Sequence, residues 1–425
     1  MNKRNAIIVG SGITGIITAL YLKKKGYNVS IYELKDDIGG VLRDLKFNER
    51  SYFNGCQYLN SEAKWLKYLD EELINELHFF EHKYASYSDI FDDEIVEENY
   101  AMPISKKELI RKDSFYKKSY SNVQQRLKVY DDFTSSRLIN FAEKYNSNIN
   151  TLHFSSTDPM QIEKVYFKNN IKETLKLKKD NSHYDEIFGL PRSYLNNNKI
   201  HGYIPKNGYN IFFEKIKTYL SKKNIKLYFN TSINCKIISN DKAFKKIEFL
   251  QKNKIINYDL LVWCCNPVPL IYSLGLGKLD NPFINSQTIA SDFEEDNEIF
   301  SNPFYIQVYS KYSNITRLYF YRLNKIPKIS IEILNKNRNN DLEFEYAFAK
   351  KIISKYNSKI QLKNNFNYIN QKKHILFTNS DFEKFDLFSK EYKTKNIIHG
   401  GWHIYSRDNK IDYIINAVNQ YFNLL

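Results

Sequence analysis

The chain has 425 residues, more than one ordinary hydrophobic core requires, and its length predicts two closely joined domains. Its hydrophobic fraction of 42% and charged fraction of 26% are those of a soluble globular protein. No apolar run approaches the roughly 20 residues that cross a bilayer, and the N-terminus lacks the layout of a signal peptide. We therefore expect no transmembrane segment and a cytoplasmic location.

The net charge of +15 comes mostly from lysines spread along the chain. No nucleic-acid motif accompanies them, so solvated lysine faces explain the charge, with an anionic small molecule as the alternative. We predict a small-molecule partner and no nucleic-acid partner.

The sequence predicts no metal site. His78 and His82 have a spacing of four residues, but no third ligand is evident near them. Neither a C-x-x-C spacing nor a histidine cluster accompanies the cysteines, so we expect reduced, mostly buried thiols. The cysteines are Cys56, Cys235, Cys264 and Cys265.

The first 40 residues contain a dinucleotide-binding pattern. The apolar run 6–9 predicts a buried strand, and it leads directly into Gly10, Gly12 and Gly15. In a G-x-G-x-x-G turn these glycines permit the tight turn, the approach of a pyrophosphate and the packing of the next helix. That helix is predicted over about 14–25, with its positive N-terminal end directed at the phosphates.

A second predicted strand, 28–32, leads to Glu33, which lies 18 residues after Gly15 (33 − 15) and suits a ribose diol. This fingerprint alone leaves NAD and FAD equally open. The candidate cofactor contacts in it are Gly10, Gly12, Ile13, Thr14, Gly15 and Glu33.

The next residues distinguish the two cofactors. Gly39, Gly40 and Arg43 resemble the continuation found in the flavin amine oxidase, protoporphyrinogen oxidase and UDP-galactopyranose mutase superfamily, where such residues hold the FAD diphosphate. Residues 52–57 resemble that superfamily's next motif, which lies near the isoalloxazine, with Asn54 in place of its acid and Gln57 in place of its histidine. An ordinary Asn-Gly turn is the alternative for this segment.

Residues 61–185 are poor in glycine and motifs, and the three- and four-residue spacing of apolar side chains predicts a mostly helical insertion. After it, a turn with Pro205 and Gly208, a helix over 209–222 and strands near 226–229 and 233–238 resemble a superfamily segment that returns to the FAD domain. The resemblance implies a contact of Ile233 with the adenosine half of FAD. It likewise places Asn266, after the buried strand 258–265, beside the cofactor.

A strand around Arg317 and the C-terminal segment complete the resemblance. Thr316 and Arg317 match a pair that meets the nucleotide-sugar diphosphate in the mutases, although the acid expected soon afterwards is absent. A cross-strand structural role is the alternative for Arg317, and Arg192 is a second candidate for anion binding. The strand 396–399 and the helix from about 410 resemble the segment that returns to FAD, which makes Gly400, Gly401 and Tyr413 candidate contacts.

The resemblance implies an α/β fold with a Rossmann-like FAD-binding domain of the GR2 type and an interposed α+β substrate domain. The FAD domain is expected to comprise residues 1–60, 200–270 and 392–425. The substrate domain is expected to comprise 61–199, with the helical insertion, and 271–391.

The expected function is that of an FAD-dependent oxidoreductase that transfers hydride from a small, anionic or sugar-like metabolite to flavin N5. The alternative is a mutase-like isomerase that uses reduced FAD on a nucleotide sugar without net redox change. A non-catalytic protein like the Rab GDP-dissociation inhibitors is a third interpretation, which the intact Gly39, Gly40 and Arg43 oppose. Gln57 and Arg317 are the candidate catalytic residues, and a homodimer is left open.

Overall fold

The computed structural model describes most of the chain. It covers residues 4–90, 93–104, 121–162, 164–167, 171–181, 184–185, 187–189, 200–235, 246–249, 254–280, 283–296, 298–335, 341–392, 396–402, 404 and 406–423. Arg192, predicted as a second anion-binding candidate, lies outside these residues.

Single strands and runs of strands are separated by helices in the described part of the chain. The strands are β1 (Asn5–Val9), β2 (Asn28–Tyr32), β3 (Leu45–Phe47), β4 (Arg50–Tyr52), β5 (Leu59–Asn60), β6 (Leu77–Glu81), β7 (Lys83–Ser88), β8 (Glu94–Glu97), β9 (Met102–Ile104), β10 (Val165–Phe167), β11 (His201–Pro205), β12 (Lys226–Tyr228), β13 (Ile233–Cys235), β14 (Lys246–Phe249), β15 (Lys254–Asn257), β16 (Leu260–Trp263), β17 (Phe283–Asp292), β18 (Phe304–Tyr309), β19 (Ile315–Leu323), β20 (Ile326–Asn335), β21 (Asn367–Ile375) and β22 (Ile397–His399).

The α-helices are α1 (Ile13–Lys24), α2 (Glu71–Asn75), α3 (Val123–Leu127), α4 (Asp132–Glu143), α5 (Ile171–Asp180), α6 (Tyr209–Lys222), α7 (Val268–Ser273), α8 (Leu342–Tyr356), α9 (Asn379–Tyr392) and α10 (Arg407–Asn423).

A five-stranded parallel sheet carries the predicted fingerprint. Its order is β12-β2-β1-β16-β22, so the chain goes from β1 to β2 on one side and is joined by β16 on the other. The carboxyl ends of β1 and β16 therefore form a topological switch point, where open α/β sheets bind ligands. The predicted Rossmann-like α/β arrangement is confirmed.

Both faces of this sheet are covered, as the continuous apolar sequences of β1 and β16 require. Ile8 and Val262 pack on one face with residues of α1, α6 and α10. Ile7 and Trp263 pack on the other face with residues of α7 and α9. The strands come from the three segments assigned to the FAD-binding domain, and we retain its boundaries as a proposal.

The second large sheet has seven strands in the order β21-β17-β20-β19-β18-β7-β8, antiparallel except where β18 meets β7. Side chains alternate between its faces. One face is apolar and packs Ile306, Leu318 and Ile331 against α8. The other face carries tyrosines and polar residues, and it contacts the turn at residues 53–58.

The expectation of a mostly helical segment is wrong for residues 77–104. This part contains β6, β7, β8 and β9, and two of these strands extend the seven-stranded sheet. The reason is a period of two in β7, where Tyr84 and Ser86 face the polar side while Ala85 and Tyr87 join the apolar core. Helices α3, α4 and α5 follow, and α3 and α4 contribute to a separate core.

In the part of the chain that the structure describes, no helix has the length and apolar character needed to cross a bilayer.

Candidate functional site: a nucleotide cradle beside a polar sheet face

The three fingerprint glycines have different surroundings. A methyl group added at Gly15 would lie 2.0 Å from the carbonyl oxygen of Gly10, so this glycine allows α1 to approach β1. Gly10 has a φ of 99° and lies against Cys265. A methyl group at Gly12 would meet no atom within 4 Å, and the φ of −65° suits any residue. The space beside Gly12 is therefore open to a ligand.

The N-terminus of α1 lies at this open space. Gly12 is its N-cap residue, no side chain caps the helix, and its first turn contains no acidic residue. Backbone N–H groups at a helix N-terminus are donors for an anion, and the helix dipole favours negative charge there. Ile13 and Thr14, both predicted contacts, are the first two residues of the helix and are buried. This end of α1 can hold a pyrophosphate.

The second glycine pair lies directly against the first turn. Gly39 forms a parallel bridge with Gly12, and its N–H donates to the Ser11 carbonyl oxygen at 2.9 Å. A methyl group on Gly40 would lie 3.4 Å from the Gly12 Cα. The structure thus brings together two glycine groups that the sequence separates by more than 20 residues.

Arg43 follows this pair, but its guanidinium already has protein partners. It forms an ion pair with Asp37 at 2.7 Å, and its Nε donates to Asn210 Oδ1 at 3.1 Å. Asp37 also accepts from Lys217 at 2.9 Å. Burial opposes the charged form of Asp37, but bonds and charges from Lys217 and Arg43 outweigh it and lower the pKa. Contact of Arg43 with a diphosphate stays a proposal.

Glu33 lies at the end of β2, beside the same turn. Its Oε2 accepts from the Ser11 N–H and from the Ser11 hydroxyl, each at 2.8 Å, and its Oε1 accepts from the Lys35 N–H at 2.9 Å. The carboxylate is half-buried. A carboxylate offers about four lone-pair positions, so these bonds leave capacity for a ribose hydroxyl.

The C-terminal return, which consists of β22 and α10, reaches the same edge of the sheet. A methyl group on Gly400 would lie 2.6 Å from the Trp263 carbonyl oxygen, so β22 can end beside β16 only with glycine there. Gly401 has a φ of 64°, and its N–H donates to His399 Nδ1 at 3.2 Å. Tyr413 packs against Gly401, and its hydroxyl bonds His399 Nε2 at 2.6 Å.

Two other predicted contacts lie near this edge, but the structure shows local partners for them. Ile233 is 4% exposed and packs with Val9 and Tyr32 on the sheet face opposite α1. Asn266 is exposed, and its Oδ1 accepts from the Val268 N–H at 2.9 Å at the start of α7. Their contacts with FAD stay proposals.

These observations fit the cofactor that the fold implies. The space at Gly12, the uncapped end of α1 and the carboxylate of Glu33 lie at the switch point, as a dinucleotide requires. The residues that would hold FAD are those of the two glycine groups, Glu33 and the Gly400–Gly401 pair. Together these residues form the nucleotide cradle.

The turn at residues 53–58 connects this edge with the polar face of the seven-stranded sheet. The Phe53 N–H donates to the Tyr321 hydroxyl at 2.8 Å, and the Ser330 hydroxyl donates to the Phe53 carbonyl at 2.5 Å. Gly55 has a φ of 88°, and a methyl group on it would lie 2.2 Å from Glu332 Oε1. The Asn-Gly segment is therefore a tight turn pressed against the sheet.

Gln57, a predicted catalytic residue, is 3% exposed in this turn. Its Nε2 donates to the Val41 carbonyl at 2.5 Å and to the Asn54 carbonyl at 2.8 Å, which ties the turn to the second glycine pair. The Tyr319 hydroxyl donates to its backbone carbonyl at 3.3 Å. Gln57 thus lies between the nucleotide cradle and the strand that carries Arg317.

Arg317, the other predicted catalytic residue, faces the same side of the sheet. Its Nε lies 2.6 Å from Glu332 Oε2 on the adjacent strand. Burial disfavours its charge, but the Glu332 carboxylate outweighs burial and raises its pKa. Thr316 contacts the same residue through its backbone, since its hydroxyl donates to the Glu332 carbonyl oxygen at 3.2 Å.

Sequence reasoning missed Glu332. A two-residue turn at Asn324 and Lys325, with φ of 53° and 65°, joins β19 to β20 and sets Leu323 opposite Ile326. That register places Glu332 directly across from Arg317. A two-residue type I′ turn in the sequence would have indicated this register. Lysine is unusual at positive φ, so the sequence does not mark the turn clearly.

Two other expectations concern histidines and cysteines. His78 lies in β6 and His82 directly after it, and within the described ranges no His, Cys, Asp or Glu group could hold a metal. Cys56 and Cys264 are half-buried, and burial raises the pKa of Cys264 to about 12. The expectation of mostly buried thiols is wrong for Cys265, which is exposed because β16 ends before it at the sheet edge.

Residues 8–71 match the family described as "NAD(P)-binding Rossmann-like domain". A 1-hydroxycarotenoid 3,4-desaturase of Flavobacterium sp. is 54% identical over 43 residues, 10% of this chain and 9% of that protein. A probable flavin-containing monoamine oxidase A of Dictyostelium discoideum is 36% identical over 69 residues, 16% of this chain and 15% of that protein. The similarity to these curated relatives thus spans less than a sixth of their length.

A solved structure extends the likeness to the whole chain. A reduced UDP-galactopyranose mutase superposes with a TM-score of 0.65 and 12% identity, covering 100% of this chain and 96% of that one. At that identity the likeness shows the fold. The predicted fold class is confirmed, and the flavin-containing relative supports the prediction of FAD as the cofactor. The chain is therefore similar in fold, and over its nucleotide-binding fingerprint also in sequence, to proteins of the FAD-dependent amine oxidase-like superfamily.

Proposed function

We propose that the protein is an FAD-dependent oxidoreductase acting on a small, anionic or sugar-like metabolite. The observation that supports this most is the convergence of both glycine groups and the C-terminal Gly400 at the carboxyl ends of β1 and β16. Bound FAD would accept the hydride, and the chain would bind and orient the substrate and shield it from water.

The roles of the residues follow from their positions. The α1 end would bind the pyrophosphate, and Glu33 would accept from the ribose. The turn at residues 53–58 covers the polar sheet face, and its Gln57 oxygen would accept a hydrogen bond from the substrate. Arg317, paired with Glu332, would orient the substrate from the sheet. We propose Gln57 and Arg317 as the residues that act on the substrate.

The second candidate is an isomerase of a nucleotide sugar that uses reduced FAD without net redox change. The full-length likeness to a UDP-galactopyranose mutase favours it. Glu332, on the neighbouring strand, would take the place of the acid that is absent shortly after Arg317 in the sequence.

Absorbance spectroscopy tests the shared part of both functions. Purified or FAD-reconstituted protein is expected to show flavin bands. A preparation that takes up no FAD would contradict both candidates.

Anaerobic titration then separates the candidates. An oxidoreductase bleaches when its substrate is added to the oxidised protein. An isomerase converts UDP-galactopyranose only after prior reduction and leaves the flavin spectrum unchanged at completion.

A further inference from the structure

The strand order of the parallel sheet indicates which part of a bound FAD would lie at each strand end. Glu33 follows β2, Gly12 follows β1 and Gly400 follows β22, in the order β2-β1-β16-β22. Glu33 suits the ribose and the α1 end suits the pyrophosphate, so the other half of an extended cofactor would continue past β16 towards β22. Because neighbouring strands are about 4.8 Å apart, β22 lies about 10 Å from β1. The flavin half would therefore reach the start of α10.

Two cations lie at the start of α10. Arg407 and Lys410 are three residues apart, which puts them on the same face of the helix. A methyl group added to Gly401 would lie 3.3 Å from the Lys410 Cγ, so this side chain packs against the turn after β22. The Arg407 Nη1 donates to the Tyr58 carbonyl oxygen at 2.9 Å, in the turn at residues 53–58. The two cations thus lie between the nucleotide cradle and that turn.

Among the described residues, no carboxylate forms an ion pair with either cation. Asp408 and Asp412 are each two residues from Lys410, and side chains at that spacing do not face each other on a helix. Asp408 instead accepts from Trp65 Nε1 at 2.6 Å. Burial raises the pKa of the nearby Cys264 to about 12, so this thiol is neutral near pH 7 and supplies no counter-charge.

This arrangement is unfavourable in the protein alone for three reasons. A cation at a helix N-terminus opposes the helix dipole. Two like charges three residues apart on one helix face repel each other. Burial lowers the pKa of Lys410 and the charge of Arg407 lowers it further, whereas Cys264 acts in the opposite direction. An anion bound beside the two cations would offset all three costs.

The two anionic parts of FAD would lie at different strand ends. The pyrophosphate has the uncapped end of α1 and the open space beside Gly12, two strands away from β22. Reduced flavin carries a negative charge, shared by N1 and O2, when its N1 has lost a proton, whereas the oxidised ring is neutral. That charge belongs to the half of the cofactor that would reach α10, where a protein cation can tune the flavin.

We propose that Lys410 stabilises the negative charge of the reduced flavin ring and that Arg407 adds to the same positive field. The inference rests on the FAD binding that both candidate functions share, and it goes beyond them by naming a residue that sets the redox potential. A cation beside the reduced ring makes reduced FAD bind more tightly than oxidised FAD, and this difference raises the midpoint potential.

The test compares Lys410→Met with the natural chain, both loaded with FAD. Methionine removes the charge and keeps an unbranched side chain. We expect the preference for reduced over oxidised FAD to fall by about tenfold, which corresponds to a midpoint potential about 30 mV lower. Equilibration with a redox dye measures this potential. Lys410→Arg restores the charge and should bring the preference back to within about threefold.

Two further measurements distinguish this role from others. Fluorescence titration of Lys410→Met with oxidised FAD should give an affinity within about threefold of that of the natural chain, because the oxidised ring is neutral. Without FAD, the melting temperature of this variant should not fall, because the change removes a cation that has no counter-charge. A structural role of Lys410 would lower it.

Lys24→Met is the matched control. Lys24 is exposed in the last turn of α1, which packs beside α10 on the same sheet face but has its last turn at the opposite edge. The change removes one positive charge, as Lys410→Met does. Because exposed charges more than about 10 Å apart are largely screened, the preference for reduced FAD should stay within about twofold.

An unchanged midpoint potential in FAD-loaded Lys410→Met would overturn the inference alone. If oxidised and reduced FAD then both bind more weakly, the ammonium serves the diphosphate. An equal fall of the potential in Lys24→Met would also overturn it, because net charge would then be the cause. Failure of the proposed function looks different: a natural chain that takes up no FAD contradicts both. An isomerase result in the anaerobic titration contradicts the oxidoreductase and leaves the potential difference standing.

Discussion

The nucleotide cradle and the polar sheet face are built on opposite principles. The cradle lacks side chains, so that Gly39 can pair with Gly12, Gly400 can lie against the end of β16, and space beside Gly12 stays open. The sheet face adds side chains that are buried and polar, with Arg317 paired to Glu332. Added side-chain volume should therefore disturb the first region, and removal of a polar partner should disturb the second.

This difference predicts which kind of substitution should lower stability or ligand affinity in each region. In the cradle, a change should act through volume, and its effect should depend on whether a ligand or the protein itself occupies the space. On the sheet face, a change should act through charge and hydrogen bonding, with or without ligand. The following predictions test this contrast, from the largest expected effect to the smallest.

Removing one partner of the buried pair should have the largest effect. Glu332→Leu leaves the Arg317 charge uncompensated and should lower the free energy of unfolding by about 3 to 5 kcal/mol. The double change Glu332→Leu with Arg317→Leu should recover most of that loss, because no lone charge remains. Urea unfolding of both variants measures this. A single variant within about 1 kcal/mol of the natural chain would show that water solvates the pair.

Acid should destabilise the sheet face through His82. Its pKa is about 3 in the folded protein, below the ordinary 6.5, so the folded state binds fewer protons. The neutral buried ring therefore costs nothing above pH 6.5, and stability is lost progressively as the pH falls from 6.5 towards 3. Between pH 7 and pH 4 this amounts to about 3 kcal/mol.

His82→Phe removes that titration and keeps a ring beside Tyr58. Urea unfolding of both proteins at pH 7 and pH 4 should show a smaller acid loss in the variant. Equal losses would mean that other groups, such as carboxylates, carry the whole acid dependence.

Two alanine changes in the cradle should have different consequences. Gly15→Ala places a methyl group 2.0 Å from the Gly10 carbonyl oxygen and should cost about 2 to 3 kcal/mol of unfolding free energy. Gly12→Ala meets no protein atom at an ordinary φ, so stability should stay within about 0.5 kcal/mol. Its FAD affinity should nevertheless fall by about tenfold or more, because a ligand needs that space.

Thermal unfolding without FAD and fluorescence titration with FAD separate these effects. Gly12→Ala protein that keeps full affinity would place the pyrophosphate elsewhere.

The smallest effect is expected at the C-terminal return. Tyr413→Phe removes the hydroxyl that bonds His399 and should cost about 1 kcal/mol of unfolding free energy. The ring beside Gly401 remains, so FAD affinity should stay within about twofold. A large loss of affinity at unchanged stability would instead assign the hydroxyl to the cofactor.

The cradle could be predicted from the sequence because its signals are local. Gly10, Gly12 and Gly15 follow a β-branched run at fixed spacing, and the predicted strand 28–32 coincides with β2. The predicted helix 209–222 likewise coincides with α6, since its apolar residues repeat with helical periodicity. Element boundaries elsewhere differ by a few residues, as for α10, which begins at Arg407 instead of near 410.

The polar face could not be predicted in the same way. Arg317 was identified by a two-residue resemblance, but its partner depends on the register of β19 and β20. Gln307 lies opposite Arg317 from the preceding strand, but Ser86 reaches the same face from β7, which is far away in sequence and which the sequence pattern placed in a helical segment. The turn at Asn324 and Lys325 sets the Arg317–Glu332 register locally, whereas tertiary pairing decides the contact between β18 and β7.

The end of β22 beside β16 has a consequence for synthesis. Gly10 leaves the ribosome hundreds of residues before Gly400, yet both lie against the Cys264–Cys265 end of β16. During translation the fingerprint is therefore exposed for tens of seconds without the strand and helix that close its edge. Tight capture of a nucleotide should therefore wait until β22 and α10 have been translated.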